Sequence, residues 1–297
     1  MPSALYLVLA SLVAAAPTPS ESAASTLQST DAPTAHALNF DLPRDLAITI
    51  PSAVVAGILI TPLANPLAPR TCRWCDRAPD GTDTLNALDR WGRGVAGKSA
   101  ASLKNWSTAS HVVGYGSVPM GLAAQFLMGT CNGAPLTDRG QDVLIVAESV
   151  AVAAVANQAV KLIAARERPF VHVLTADQKG LTDEPNDNNA SFYSAHTSAI
   201  FSVVTAAGTV SELRGYRNSW IIWAVGLPAA ASVGLMRMGA DKHYFTDVLV
   251  GAAAGSLFGV GMPLLLHGRQ TESQTRFTDL SVRVTGGPGG VSLSGVF

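Results

Sequence analysis

The chain is short of charge. Of its 297 residues, 14% are Asp, Glu, Lys or Arg, and the formal net charge is −1. It has no basic run and no interleaving of aromatic with basic residues, so nothing in it argues for nucleic acid as a partner. Cysteine is scarce as well, with three residues in all, of which Cys72 and Cys75 form a lone CxxC in TCRWCDR. Without a second pair or a nearby histidine this does not make a zinc site. A local disulfide in an oxidising compartment and two idle thiols are the readings that remain, and Cys131 reads as a small core residue.

What the chain does have is apolar surface. Hydrophobic residues make up 48% of the sequence, and the mean hydropathy is +0.27. That balance fits either a very apolar soluble helical domain or a small polytopic membrane protein, and the length fits one domain. Residues 4–16, ALYLVLASLVAAA, followed by a Pro- and Ser-rich tract, read as a secretory signal peptide over 1–16, ending at the latest by 24, or as an uncleaved anchor, since no Lys or Arg leads it. Residues 17–44 are then a flexible spacer. Six stretches nearly free of charge follow, at about 46–68, 107–137, 143–160, 190–211, 218–236 and 248–268. Most approach the ~20 residues that a membrane-spanning helix needs. They are rich in Ala, Gly, Ser and Thr, which suits close helix packing in a membrane bundle and also in a soluble one.

The expected fold is therefore all-α, a bundle of about six apolar, membrane-spanning helices occupying residues 45–268. The connection 69–106 is polar and carries seven basic residues, and it reads as an interfacial excursion or a solvated loop with a short helix. Residues 171–190 form a second polar loop ending in a turn-rich run from Asp183 to Asn189. In the tail, 269–297, LSVRVT and VSLSGVF alternate apolar and polar residues around GGPGG, which predicts a short C-terminal β-hairpin.

Charged groups inside apolar segments are costly unless they are paired, so three clusters of them need a reason. In the first, Lys161 and Arg168 lie seven residues apart, hence on one helical face, and Pro169 helps to end the helix. They could flank an anion or simply close a helix C-terminus. In the second, Ser194 is a plausible N-cap whose free backbone N–H groups, with that of Ala195, make an anion seat beside His196. A histidine beside a cap can equally be structural. In the third, His243 and Asp247 are four residues apart, so the carboxylate can hold one imidazole N–H and leave the other nitrogen free, or the two can form a buried polar pair. Gly239 lets the chain turn, Asp241 can cap the next helix, and Arg237 ends the preceding one facing the same cleft.

Read in order, the clusters are K-x6-RP, S-A-H-T and R-x5-H-x3-D. This set resembles the type 2 phosphatidic acid phosphatase (PAP2) superfamily, which also contains vanadium haloperoxidases and class A acid phosphatases. The resemblance runs from Lys161 to Asp247. Tyr193 and Ala195 stand where the family usually has Pro and Gly, and Met236 where it usually has Ser, while every charged position is kept.

The resemblance implies a phosphatase that works through a phosphohistidine without metal or other cofactor. His243 is then the nucleophile, Asp247 its orienting carboxylate and His196 the general acid. Lys161, Arg168, Ser194, Ala195 and Arg237 bind the phosphate. The implied substrate is a lipid phosphate or pyrophosphate, with a membrane as the only other partner and no protein partner indicated. A soluble periplasmic acid phosphatase and a vanadate-dependent haloperoxidase would use the same residues, the latter with vanadate as cofactor. A non-enzymatic exported bundle would require three coincident motifs. Family habit places the site on the periplasmic face of a cell-envelope membrane, whereas a cleaved signal followed by six crossings would place it inside.

Overall fold

The computed structural model describes residues 35–270, together with 282–287 and 290–295 of the tail. The expected signal peptide and most of the spacer lie outside the described residues. Nine helices occur among those described: α1 (Leu42–Leu59), α2 (Ala87–Arg93), α3 (Ala100–Cys131), α4 (Leu136–Ala164), α5 (Pro169–His172), α6 (Ala176–Lys179), α7 (Ala195–Arg214), α8 (Trp220–Gly239) and α9 (Phe245–Leu266). The all-α bundle expected from the sequence is therefore present.

The helix starts follow from local chemistry. Asp41 accepts the Arg44 N–H at 3.0 Å to cap α1, and Ser194 accepts the Thr197 N–H to cap α7. Five helices, α1, α3, α4, α8 and α9, are long and apolar enough to cross a membrane. The sixth expected crossing, 190–211, became α7, which is not among them. It is the axis of the bundle instead, packed against α3, α4, α8 and α9.

The reason is its composition. Thr197, Ser198, Ser202, Thr205, Thr209 and Ser211 are all buried on α7, and the Thr205 and Thr209 hydroxyls donate back to the Phe201 and Thr205 carbonyls at 2.7 Å. Beside a small buried cluster that includes Ile145, Val146, Ile200 and Val203, many large apolar side chains point outward: Ile50, Val54, Val112, Met120, Val225, Leu249, Leu257 and Leu265 are exposed on the outer helices. Small and polar groups inside with leucines outside is the arrangement that lipid favours, since hydrocarbon gives apolar side chains no reason to turn inward.

Helix α9 meets α7 through Gly251, Gly255 and Gly259, spaced one turn apart. A Cβ at Gly251 would lie 2.8 Å from the Ser194 carbonyl oxygen, and one at Gly255 would collide with the Ser198 carbonyl. This contact sets His243 and Asp247, at the start of α9, beside the start of α7.

The expected C-terminal hairpin is not supported as part of this fold. Val282–Gly287 and Gly290–Gly295 run antiparallel, but the residues that join them, 288–289, and those leading to them, 271–281, lie outside the described residues.

Candidate active site

The three clusters come together at one end of the bundle. Lys161, Arg168, Ala195, His196, Arg237 and His243 all line a single cavity of about 540 Å³. Lys161 reaches it from the last turn of α4 and donates to the Ala190 carbonyl at 2.8 Å.

Arg168 arrives differently from the sequence expectation. Helix α4 stops at Ala164, because Ala165 adopts a left-handed conformation with φ 44. Residues 165–168 then run as an irregular link in which Trp74 and Arg166 form an isolated β-bridge. Arg168 therefore shares no helical face with Lys161. It is the residue before α5, with Pro169 in that helix's first turn. Two hydrogen bonds to Asp187, one to its backbone carbonyl at 2.9 Å and one to its carboxylate at 2.6 Å, and a third to the Lys242 carbonyl fix the guanidinium.

Arg237, in the last turn of α8, donates to the Ser110 hydroxyl of α3 at 3.0 Å. Two expectations about the turn that follows are corrected. Gly239 remains within α8, where a Cβ would press on the Trp106 ring at 2.8 Å, so it serves close packing and not the turn. The left-handed position is Asp241, with φ 53. Helix α9 is capped by Tyr244, whose backbone N–H donates to the Asp247 carboxylate at 2.9 Å.

His243 is buried with its Nε2 3.2 Å from Arg168 Nη1. Its Nδ1 lies 3.6 Å from Asp247 Oδ2, longer than a hydrogen bond. Burial, followed by the Arg168, Arg237 and Lys161 cations, pushes this imidazole well below its ordinary pKa, so it is held neutral. Burial works against ionised Asp187, yet Arg168 and then Lys161 outweigh it and lower its pKa.

His196 sits in the first turn of α7, its ring 4.8 Å from the Tyr115 ring and 5.3 Å from the His111 ring. Ser194 is fully buried and does not line the cavity. Its hydroxyl accepts from the Thr197 hydroxyl at 2.9 Å, and its backbone N–H donates to the Asp247 carbonyl at 3.1 Å.

Several contributors lay outside the sequence reading. Arg166 is fully buried between carboxylates, with 2.7 Å to Asp247, 2.6 Å to Asp89 and 3.0 Å to Asp76, and its guanidinium is sandwiched by the Trp74 and Tyr244 rings, each at 4.1 Å. Asp247 is thus held by Arg166, by the Ser191 hydroxyl at 2.5 Å and by the Tyr244 N–H. His111 and Tyr115 of α3 also line the cavity. A histidine inside the apolar stretch 107–137 was the available signal for that wall. No comparable signal pointed to Asp76 and Asp89 among the many charges of 69–106.

The family model of the PAP2 superfamily matches residues 142–270, which hold all eight expected site residues. This region is similar to the PAP2 superfamily. Asp76 and Asp89 lie upstream of the PAP2 match, so the buried network around Asp247 is completed from outside it. A solved structure similar to this chain is the first transmembrane PAP2 type phosphatidylglycerolphosphate phosphatase from Bacillus subtilis, at 14% identity and a TM-score of 0.44, covering 73% of this chain and 93% of that one. Comparison with curated proteins gives no match.

Proposed function

We propose that the chain is a phosphatase that cleaves a lipid phosphate or pyrophosphate through a phosphohistidine, with no metal at the phosphate. The observation that carries this reading is the convergence of Lys161, Arg168 and Arg237 with His196 and His243, from separate segments, on one cavity. Lys161, Arg168 and Arg237 neutralise the phosphoryl oxygens, a task that preorganised cations perform with no reorganisation during reaction. His243 Nε2 attacks phosphorus and forms the N–P bond as the ester P–O bond breaks. His196 gives the leaving oxygen its proton, then takes one from the water that hydrolyses the intermediate. Asp247, held from behind by Arg166, steadies the charge that develops on His243.

A lipid substrate is supported by the cavity's rim, where Leu59, Ile60 and Leu162 line the side next to exposed Ile58 and Ile163. The face is addressed by a disulfide between Cys72 and Cys75, in the segment that bridges to Arg166 at the site end of the bundle. Disulfides persist in oxidising compartments, which supports an extracytoplasmic site.

The test is phosphate release from phosphatidic acid in mixed micelles, with labelling of the protein by substrate carrying radioactive phosphorus. The His243→Ala protein should release none and take up no label, while wild type takes up acid-labile label. Release near wild type in that variant would overturn the assignment.

A further inference from the structure

At the opposite end of α9, about 33 Å from His243 by the helical rise, lies a second titratable cluster that the phosphatase reading does not use. Asp45 of α1, Glu148 of α4 and His267 just after α9 are each fully buried and come within 4.8 Å of one another through one ligand atom apiece. Asp45 is compensated, since Arg44 Nε donates to it at 2.7 Å and the Asp41 N–H at 3.1 Å. Glu148 is not: neither of its carboxylate oxygens has a hydrogen-bond partner among the described residues. A buried, unpaired carboxylate costs several kcal/mol, so a cation belongs beside it.

His267 shows which cation. Its Nδ1 is 3.0 Å from the Asn39 carbonyl, which fixes the proton on Nδ1 and leaves Nε2 as a lone pair. That Nε2 has no hydrogen-bond partner among the described residues and faces Glu148 Oε2 at 3.5 Å. Two acceptors thus face each other. The separation exceeds the ~2.7–2.9 Å of a charge-assisted hydrogen bond. It does match the ~3.3 Å edge between ligands of a tetrahedral ion with bonds of about 2.0–2.1 Å. We propose that Asp45, Glu148 and His267 form a structural site for a divalent transition cation such as zinc, tying α1, α4 and the end of α9 together. The ligand set, two carboxylates and one imidazole, suits zinc or manganese better than calcium. The inference is independent of the phosphatase reading.

The full-length protein, purified in detergent without chelator, is the material for the test. Elemental analysis should find about one zinc or manganese per chain in wild type, one ion for the one cluster, and essentially none in Glu148→Gln and in His267→Gln. If those variants do not fold, wild type alone decides: chelator should lower its thermal midpoint, and zinc chloride alone should restore it, saturating at one equivalent. A metal-free wild type whose midpoint is indifferent to chelator and zinc, or a zinc response retained in Glu148→Gln, would overturn the site. The first outcome would leave a proton shared by His267 and Glu148 as the buried cation.

Discussion

Arg166 touches no part of the cavity, yet it joins Asp247 to two carboxylates of the 69–106 segment. Its two natural replacements should separate stability from catalysis. Arg166→Met leaves Asp89 and Asp247 buried without their cation and should cost about 3–5 kcal/mol, read as a lower thermal midpoint. Arg166→Lys keeps the charge but not the planar fork that reaches three partners, so it should fold, lower kcat and leave KM nearly unchanged. Arg237 does face the cavity, and Arg237→Ala should lower kcat by roughly 10²–10³, as the loss of one preorganised donor does.

The sign of the pH response follows from His243. Its folded form resists protonation, while in the unfolded chain an imidazole titrates near 6.5. Below about pH 6.5 the unfolded state binds the extra proton, so the contribution of His243 to stability is present above that pH and lost as pH falls. The thermal midpoint should hold steady from pH 8 to 7 and drop toward pH 5, with a smaller drop in His243→Gln.

At the scale of elements, the close seam between α7 and α9 is the contact on which the site depends. In Gly255→Val the new Cβ meets the Ser198 carbonyl group, 3.0 Å from its carbon, and backbone cannot step aside as a flexible side chain can. Overpacking of this kind costs about 1–3 kcal/mol or more. At Gly261 on the same helix an added Cβ meets nothing within 4 Å among the described residues, so Gly261→Val should match wild type in midpoint and activity, which isolates the seam from helix propensity. What could be read from sequence here was periodicity and residue size. The small residues of 248–268 announced close packing, and Ser194 announced a helix start. Three details could not be read, because tertiary partners decide them. Arg168 left the helix because Ala165 turns left-handed where Trp74 pairs with Arg166. The cap of α9 passed from Asp241 to Tyr244 once Asp247 could receive its N–H. The Ser- and Thr-rich stretch 190–211 moved to the centre, where Thr205 and Thr209 bond carbonyls of their own helix and the Ser211 hydroxyl donates to Gln125 of α3.

For the whole molecule, the two ends of the bundle are chemically distinguishable. The Cys72–Cys75 disulfide lies at the site end, whereas Cys131, expected from the sequence to be a core residue, instead closes α3 with an exposed thiol, about 48 Å along that helix from its start near the site. With the bundle crossing a membrane and the site outside, a membrane-impermeant maleimide applied to intact cells should label Cys72 and Cys75 only after reduction, and Cys131 only after permeabilisation. Labelling of Cys131 in intact cells would place both ends in one compartment and favour a soluble exported enzyme.

The apolar rim of Leu59, Ile60 and Leu162 has a kinetic consequence under the lipid reading. A cavity that opens against the acyl chains samples its substrate from a two-dimensional solution. Velocity should then follow the mole fraction of phosphatidic acid in the micelle, falling as detergent dilutes the surface at constant bulk lipid, while a water-soluble phosphomonoester shows no such dilution.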